Sequence, residues 1–253
     1  MHSLLFADDQ VIFAQEKEDM EYMVRKLKEE FELWGLKINM SKTEYLCIGQ
    51  QVADLNLENE IIKSCQTFRY LGSTVHQDGT CSRDIEIKIA RGKQATKALH
   101  GLIWNNNLTK ENKNRIFQSI VQNIVLYGAE MWPMTTTIRN KIRTVELDYL
   151  RRCLQVTRND RLRTEEIWQQ MGVKCSMTRR LENRALQWYG HVQRMPEYRW
   201  PKRILEWEPP GRRRRGRPTL RWKTYIGQAM AERGLREGDW NDRELWRVKT
   251  ANS

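Results

Sequence analysis

Leu4-Leu5-Phe6-Ala7-Asp8-Asp9-Gln10-Val11-Ile12-Phe13-Ala14 sets two adjacent carboxylates between two apolar runs. A strand that enters, turns at the acidic pair and leaves again holds carboxylate oxygens at the tip of a hairpin, where hard divalent cations are coordinated. That layout suits the metal site of a polymerase. Two aspartates in a tight turn are also ordinary turn formers, so the pair alone leaves both readings open. Two blocks further along the chain bear on the choice.

A helical segment leads into Gly35-Leu36-Lys37-Ile38-Asn39-Met40-Ser41-Lys42-Thr43-Glu44, and after another apolar run comes Phe68-Arg69-Tyr70-Leu71-Gly72-Ser73. In this order the three blocks resemble the end of the palm and the start of the thumb of a reverse transcriptase from a non-LTR (LINE-like) retrotransposon, the endonuclease-reverse transcriptase type. That family writes the acidic hairpin as (F/Y)-A-D-D, the second block as G-L-x-(I/V)-N-x-x-K-(T/S) and the third as F-x-Y-L-G. All three patterns match. The resemblance continues more loosely through Leu126-Tyr127-Gly128-Ala129-Glu130-Met131-Trp132 and through Trp188-Tyr189-Gly190-His191-Val192 with Arg194-Met195. It reaches Arg215-Gly216-Arg217-Pro218 and so covers nearly the whole chain.

The resemblance implies an α+β chain: a small palm-derived antiparallel β element at the N-terminus, then a mostly helical thumb and C-terminal region. The implied segments are a partial palm over 1–75, a helical thumb-like region over 76–198, a basic Pro/Arg-rich linker over 199–218 and a helical end over 219–253. Asp8 matches the first aspartate of the family's pair and is the expected Mg2+ ligand and catalytic carboxylate, with Asp9 supporting it from the second position. Lys42 would approach the triphosphate and neutralise charge or donate a proton to pyrophosphate; the alternative is a surface lysine in a turn. Phe68, Tyr70, Leu71 and Gly72 resemble the primer grip, although an apolar strand with a glycine turn is often plain core. The partners implied are an RNA template and a DNA primer or target DNA.

Two-metal nucleotidyl transfer needs carboxylates that hold two divalent ions about 3.5–4 Å apart, which two neighbouring acids cannot do alone. In the family the fingers and the palm strand with the first metal-binding aspartate lie upstream of the acidic hairpin. Here Met1 to Leu5 are all that precede the motif. The expectation is a fragment of a longer element, inactive alone because the upstream aspartate strand is missing. The alternative is a non-catalytic nucleic-acid-binding protein derived from such an element.

Charge separates along the chain. Residues 1–60 hold 13 acids and 6 bases, whereas residues 61–253 hold 19 acids and 38 bases. A polyanionic partner for the later part, held through salt-sensitive phosphate contacts, is one reading; solvated helix faces are the other. Lys88, Arg91, Lys93 and Lys97 stand close enough on one predicted helix to track a duplex backbone without reading sequence. The densest run is Arg212-Arg213-Arg214-Arg215-Gly216-Arg217-Pro218. Its Arg-Gly-Arg-Pro core resembles peptides that enter narrow A·T minor grooves, and so dense a cation run also reads as a nuclear import signal or as a solvated linker.

No run approaches the ~18 apolar residues of a membrane span, so an intracellular protein is expected, and the dense arginine run adds the expectation that it is nuclear. Five cysteines at 47, 65, 81, 153 and 175 form no Cys-x-x-Cys pair, which argues for free thiols. Cys153, Cys175 and His191 fit no compact zinc spacing. From Glu18, Met20, Met23, Leu27, Phe31 and Trp34 predict an amphipathic helix ended by Gly35. Lys37–Asn39, Tyr45–Gly49 and Phe68–Val75 predict short strands. Further helices are predicted around Ile85 and Ile89, behind Thr109 with Ile116, Ile120, Ile124 and Tyr127, around Ile142 and Val145, behind Thr164, and along Leu181 to Met195. Trp104, Trp132, Trp168 and Trp188 are expected in the core. Pro218 suits the first position of a last helix.

Overall fold

The computed structural model describes residues 2–49, 54–57, 60–208 and 221–251. The chain is α+β and divides into two compact units, Met1–Asp84 and Ile85–Ser253. Among the described residues no helix is long and apolar enough to cross a membrane.

The first unit opens with an antiparallel hairpin of β1 (His2–Phe6) and β2 (Asp9–Phe13), followed by α1 (Lys17–Leu33). Glu18 and Asp19 in the first turn of α1 suit its positive N-terminal dipole. Gly35 at φ +71° ends the helix as the spacing predicts. Its N–H donates to Glu32 O while that of Leu36 reaches Phe31 O, which satisfies the last carbonyls. Two further hairpins follow, β3 (Leu55–Leu57) with β4 (Glu60–Ile62), and β5 (Thr67–Tyr70) with β6 (Ser73–His76). Val24, Tyr45, Leu55, Leu57 and Ile62 form the core, with Ile12, Met20, Met40 and Cys47 against it. Lys17 Nζ on Asp54 O (2.8 Å) and Lys28 on Glu60 (2.6 Å) tie α1 to the second hairpin.

Residues 37–49 are not the strand pair their composition suggests. Asn39 captures the segment as a turn, its carbonyl accepting from Lys42 N and Thr43 Oγ1 and its side chain from Ser41 Oγ. Tyr45 makes a single parallel bridge to Ser64. Phe68–Val75, read as one strand, is a hairpin because Leu71 and Gly72 take φ +46° and +81° and reverse the chain in two residues.

The second unit is helical: α2 (Ser82–Ala98, whose first turn closes the first unit), α3 (His100–Ile103), α4 (Lys110–Ile116), a π turn over Phe117–Gln122, α5 (Asn123–Leu126), α6 (Thr136–Leu154), α7 (Thr164–Gln170) and α8 (Met177–Gln193). There follow α9 (Trp200–Glu206), α10 (Trp222–Glu232), a short 3-10 turn over Asp239–Asn241 and α11 (Arg243–Ala251). Thr109, Thr135 and Ser176 cap α4, α6 and α8 with their side-chain oxygens. Thr164 is the first residue of α7 rather than its cap, and Glu166 reaches back to Arg163 N instead. The expected stripe Ile116, Ile120, Ile124, Tyr127 is not the buried one. Phe117, Val121, Val125 and Leu126 face inward, because the π turn shifts the face that α4 and α5 present. Pro218 lies outside the described residues, and α10 begins at Trp222.

Candidate functional site

In the acidic hairpin Phe6 pairs with Asp9, so the loop is Ala7 and Asp8 and the second aspartate opens β2. Ala7 stands at φ +51°, a left-handed conformation that alanine adopts only under constraint. Both carboxylates are exposed, and among the described residues neither has a side-chain partner. Alternation along the strand puts Asp9 on the face of Leu4, Phe6, Val11 and Phe13, while Ile12 on the other face meets the core. That outer face is open, with Phe6 61% and Phe13 50% exposed.

The donor chemistry fits a hard divalent cation: paired carboxylate oxygens, exposed, on a two-residue turn. Asp8 and Asp9 would hold it, and when bound the ion would supply charge neutralisation and activation of a hydroxyl. The donors fall short in number. Among the described residues no group of three or more His, Cys, Asp or Glu side chains gathers to hold a metal.

Lys42 is exposed on the Asn39 turn. Phe68 and Tyr70 are half-buried in β5, Leu71 is exposed at the tip of the β5–β6 loop and Gly72 follows it. Thr74 N in β6 donates to Asp84 Oδ1 (3.0 Å), which fixes the hairpin against the start of α2. The two motif hairpins thus share one device, a two-residue loop whose first residue is a left-handed non-glycine.

On α2 the basic residues part company. Arg91, Lys93 and Lys97 are exposed, whereas Lys88 is buried with its ammonium 5.6 Å from the Trp132 ring and 5.9 Å from that of Tyr127. Lys88 therefore leaves the expected duplex-tracking surface. The signal was present, since positions 85, 88, 89 and 92 make one helical face and Ile85 and Ile89 mark it as inward. Arg212, Arg213, Arg214, Arg215 and Arg217 lie outside the described residues. Of the four tryptophans expected in the core, Trp132 is buried and Trp168 half-buried, while Trp104 and Trp188 are exposed; on α8 the buried ring is Tyr189.

Two buried carboxylates carry no sequence signal. Glu182 on α8 accepts from Arg139 (3.1 Å), Arg179 (2.6 Å) and Arg233 (2.8 Å), joining α6, α8 and the end of α10. Burial pushes its pKa up, but the Arg233, Arg139 and Arg179 guanidiniums outweigh that and hold it below the usual range. Glu146 on α6 accepts from Met177 N (2.7 Å), and burial raises its pKa to about 7 against the pull of that hydrogen bond. The five cysteines are free thiols, and burial pushes Cys153 up to about 11.

Residues 1–75 match the family described as reverse transcriptase (RNA-dependent DNA polymerase). An uncharacterized transposon-derived protein of Caenorhabditis elegans is 26% identical over 277 aligned residues, covering 99% of this chain and 97% of the relative. No solved structure matches. With the family match falling on the acidic hairpin, the Lys42 block and the Tyr-Leu-Gly hairpin together, the chain is related to the reverse transcriptases of retrotransposons.

Proposed function

We propose that this chain supplies the end of the palm and the thumb of an RNA-directed DNA polymerase, working on an RNA template and a DNA primer or target DNA. The observation that carries the reading is the acidic hairpin, with two unpartnered carboxylates at a strained two-residue turn and an open apolar face beside them. Asp8 is the metal-holding carboxylate and Asp9 its neighbour. Lys42 meets the anionic triphosphate, and the β5–β6 hairpin steadies the primer end. The outer edge of the two-stranded β1–β2 sheet, unpaired among the described residues, suits pairing with a further palm strand that brings the remaining carboxylate. On this reading the chain binds nucleic acid alone and polymerises only with that strand.

A purely binding role is the second reading, favoured by the charge of the later unit: residues 85–253 carry 35 bases against 17 acids. Primer extension on an RNA template with Mg2+ separates them. The expected result is no incorporation by the chain alone, incorporation by a fusion carrying fingers and a first palm strand of such a polymerase, and its loss in Asp8→Asn. Incorporation by the unaided chain would overturn the need for a further carboxylate-bearing strand. A folded fusion that binds template and primer yet stays inactive leaves the binding role.

A further inference from the structure

We propose that the outward face of α9 is a stacking platform for single-stranded nucleic acid. It goes beyond the polymerase reading, because it lies outside the three motif blocks and needs neither metal nor primer.

The segment from residue 199, read from sequence as linker, begins with this helix. Trp200, Arg203, Ile204 and Trp207 recur at the spacing that puts them on one side of it. That side faces water: Trp200 is 47% exposed and Ile204 and Trp207 are each 65% exposed, with Tyr198 just before the helix at 74%. The opposite side is anchored. Lys202 Nζ donates to Gln193 O (3.0 Å) and Gln193 Oε1 (2.5 Å) at the end of α8, so the rings stand on a fixed mount. Guanidiniums accompany them, Arg203 lying 4.5 Å above the Trp200 ring and Arg199 6.0 Å from that of Tyr198.

Three large and substantially exposed aromatic rings within one short stretch mark a surface that something covers. The charge of the neighbouring sequence says what kind of partner fits. Residues 194–221 contain ten arginines and lysines and three acids, a composition that favours a polyanion over a neutral or basic partner. A duplex offers phosphates but hides the faces of its bases. A single strand offers both phosphates and flat π surfaces, and aromatic rings beside arginines are the chemistry that takes them without sequence preference.

The test is anisotropy of the full chain with a labelled oligothymidylate and with a labelled duplex of equal length, for Trp200→Ala/Trp207→Ala and for Trp200→Phe/Trp207→Phe. Both positions are exposed, and circular dichroism checks that the variants fold. The alanine pair is expected to weaken single-strand binding by about ten-fold or more and duplex binding by less than about two-fold, with the phenylalanine pair regaining most of the loss. Failure of the unaltered chain to bind oligothymidylate, full affinity in the alanine pair, or an equal loss on both ligands would each overturn the proposal. None of these readouts depends on polymerase activity, so the polymerase reading stands or falls separately.

Discussion

Three carboxylate environments in one chain show how surroundings assign the chemistry of a residue. Asp8 and Asp9 stand in water on a turn, open to a cation or substrate. Glu182 is buried and charged, because three guanidiniums replace the water it lost. Glu146 is buried with one main-chain donor, and its Oε2 finds no hydrogen-bond partner among the described residues. Its pKa is about 7 in the fold against 4.5 for an unperturbed group, so between those values the folded chain binds more protons than the unfolded one. Stability contributed by the protonated form is therefore full below about pH 4.5 and is lost as pH rises towards about 7. Glu146→Gln keeps an oxygen for Met177 N and removes the charge. The variant is expected to flatten this slope and to be more stable than the parent by roughly 2–3 kcal/mol above neutrality. Urea unfolding midpoints across the pH range check it, and an unchanged pH slope in the variant would assign the effect elsewhere. None of this was legible in the sequence, where Glu146 is one acid among many on a charged helix and only the arrival of Met177 from α8 isolates it.

Among the elements, legibility followed the strength of the local rule. α1 and α6 appear where their apolar spacing puts them, since a long amphipathic face leaves little choice, and Gly35 ends α1 where expected; the Thr135 cap of α6 emerged only from the structure. The segment 37–49 failed because the Ser41 and Thr43 hydroxyls, donating to the Asn39 side chain and carbonyl, competed with strand pairing, and the face of α4 and α5 failed because a π turn has no periodic signature. Glycine shows the same contrast between local and tertiary causes. Gly190, within the Trp-Tyr-Gly-His block, has no special φ; it is required by α11, whose Trp246 donates its indole N–H to Leu186 O across it. A Cβ there would overlap that ring, with Trp246 Cε2 at 2.7 Å and Cδ1 at 3.0 Å. Gly227 on α10 would meet nothing within 4 Å. Gly190→Ala is therefore expected to destabilise by about 1–3 kcal/mol. Gly227→Ala is expected to stabilise by about 0.5–1 kcal/mol through helix propensity alone. Thermal unfolding of the two variants reads opposite signs, and the same sign for both would mean that packing between α8 and α11 is not what Gly190 serves.

Across the whole molecule, charge and chemistry are divided between the units. Met1–Asp84 holds 15 acids and 9 bases together with the acidic hairpin, while residues 85–253 hold 35 bases and 17 acids. This partition was readable from sequence, because charge counting needs no coordinates. Which cations face water was readable only in part, as Lys88 shows: Ile85 and Ile89 mark its face as inward, but the packed helix alone places its ammonium 5.6 Å from the Trp132 ring. The division predicts that grip and chemistry respond to different substitutions. Each phosphate contact removed should lower the slope of log affinity against log salt by about 0.9 on a duplex. Lys93→Gln/Lys97→Gln should therefore reduce that slope by nearly two such increments, and glutamine at 212–215 by as many increments as those arginines meet phosphates. Lys88→Met should leave the slope unchanged, since a buried ammonium releases no counterions. Asp8→Asn/Asp9→Asn should also leave the monovalent-salt slope unchanged while abolishing any strengthening of template-primer binding by Mg2+. Titrations in potassium chloride, with and without magnesium, read both effects on the same samples. A magnesium response that survives loss of both aspartates would place the cation elsewhere in the chain.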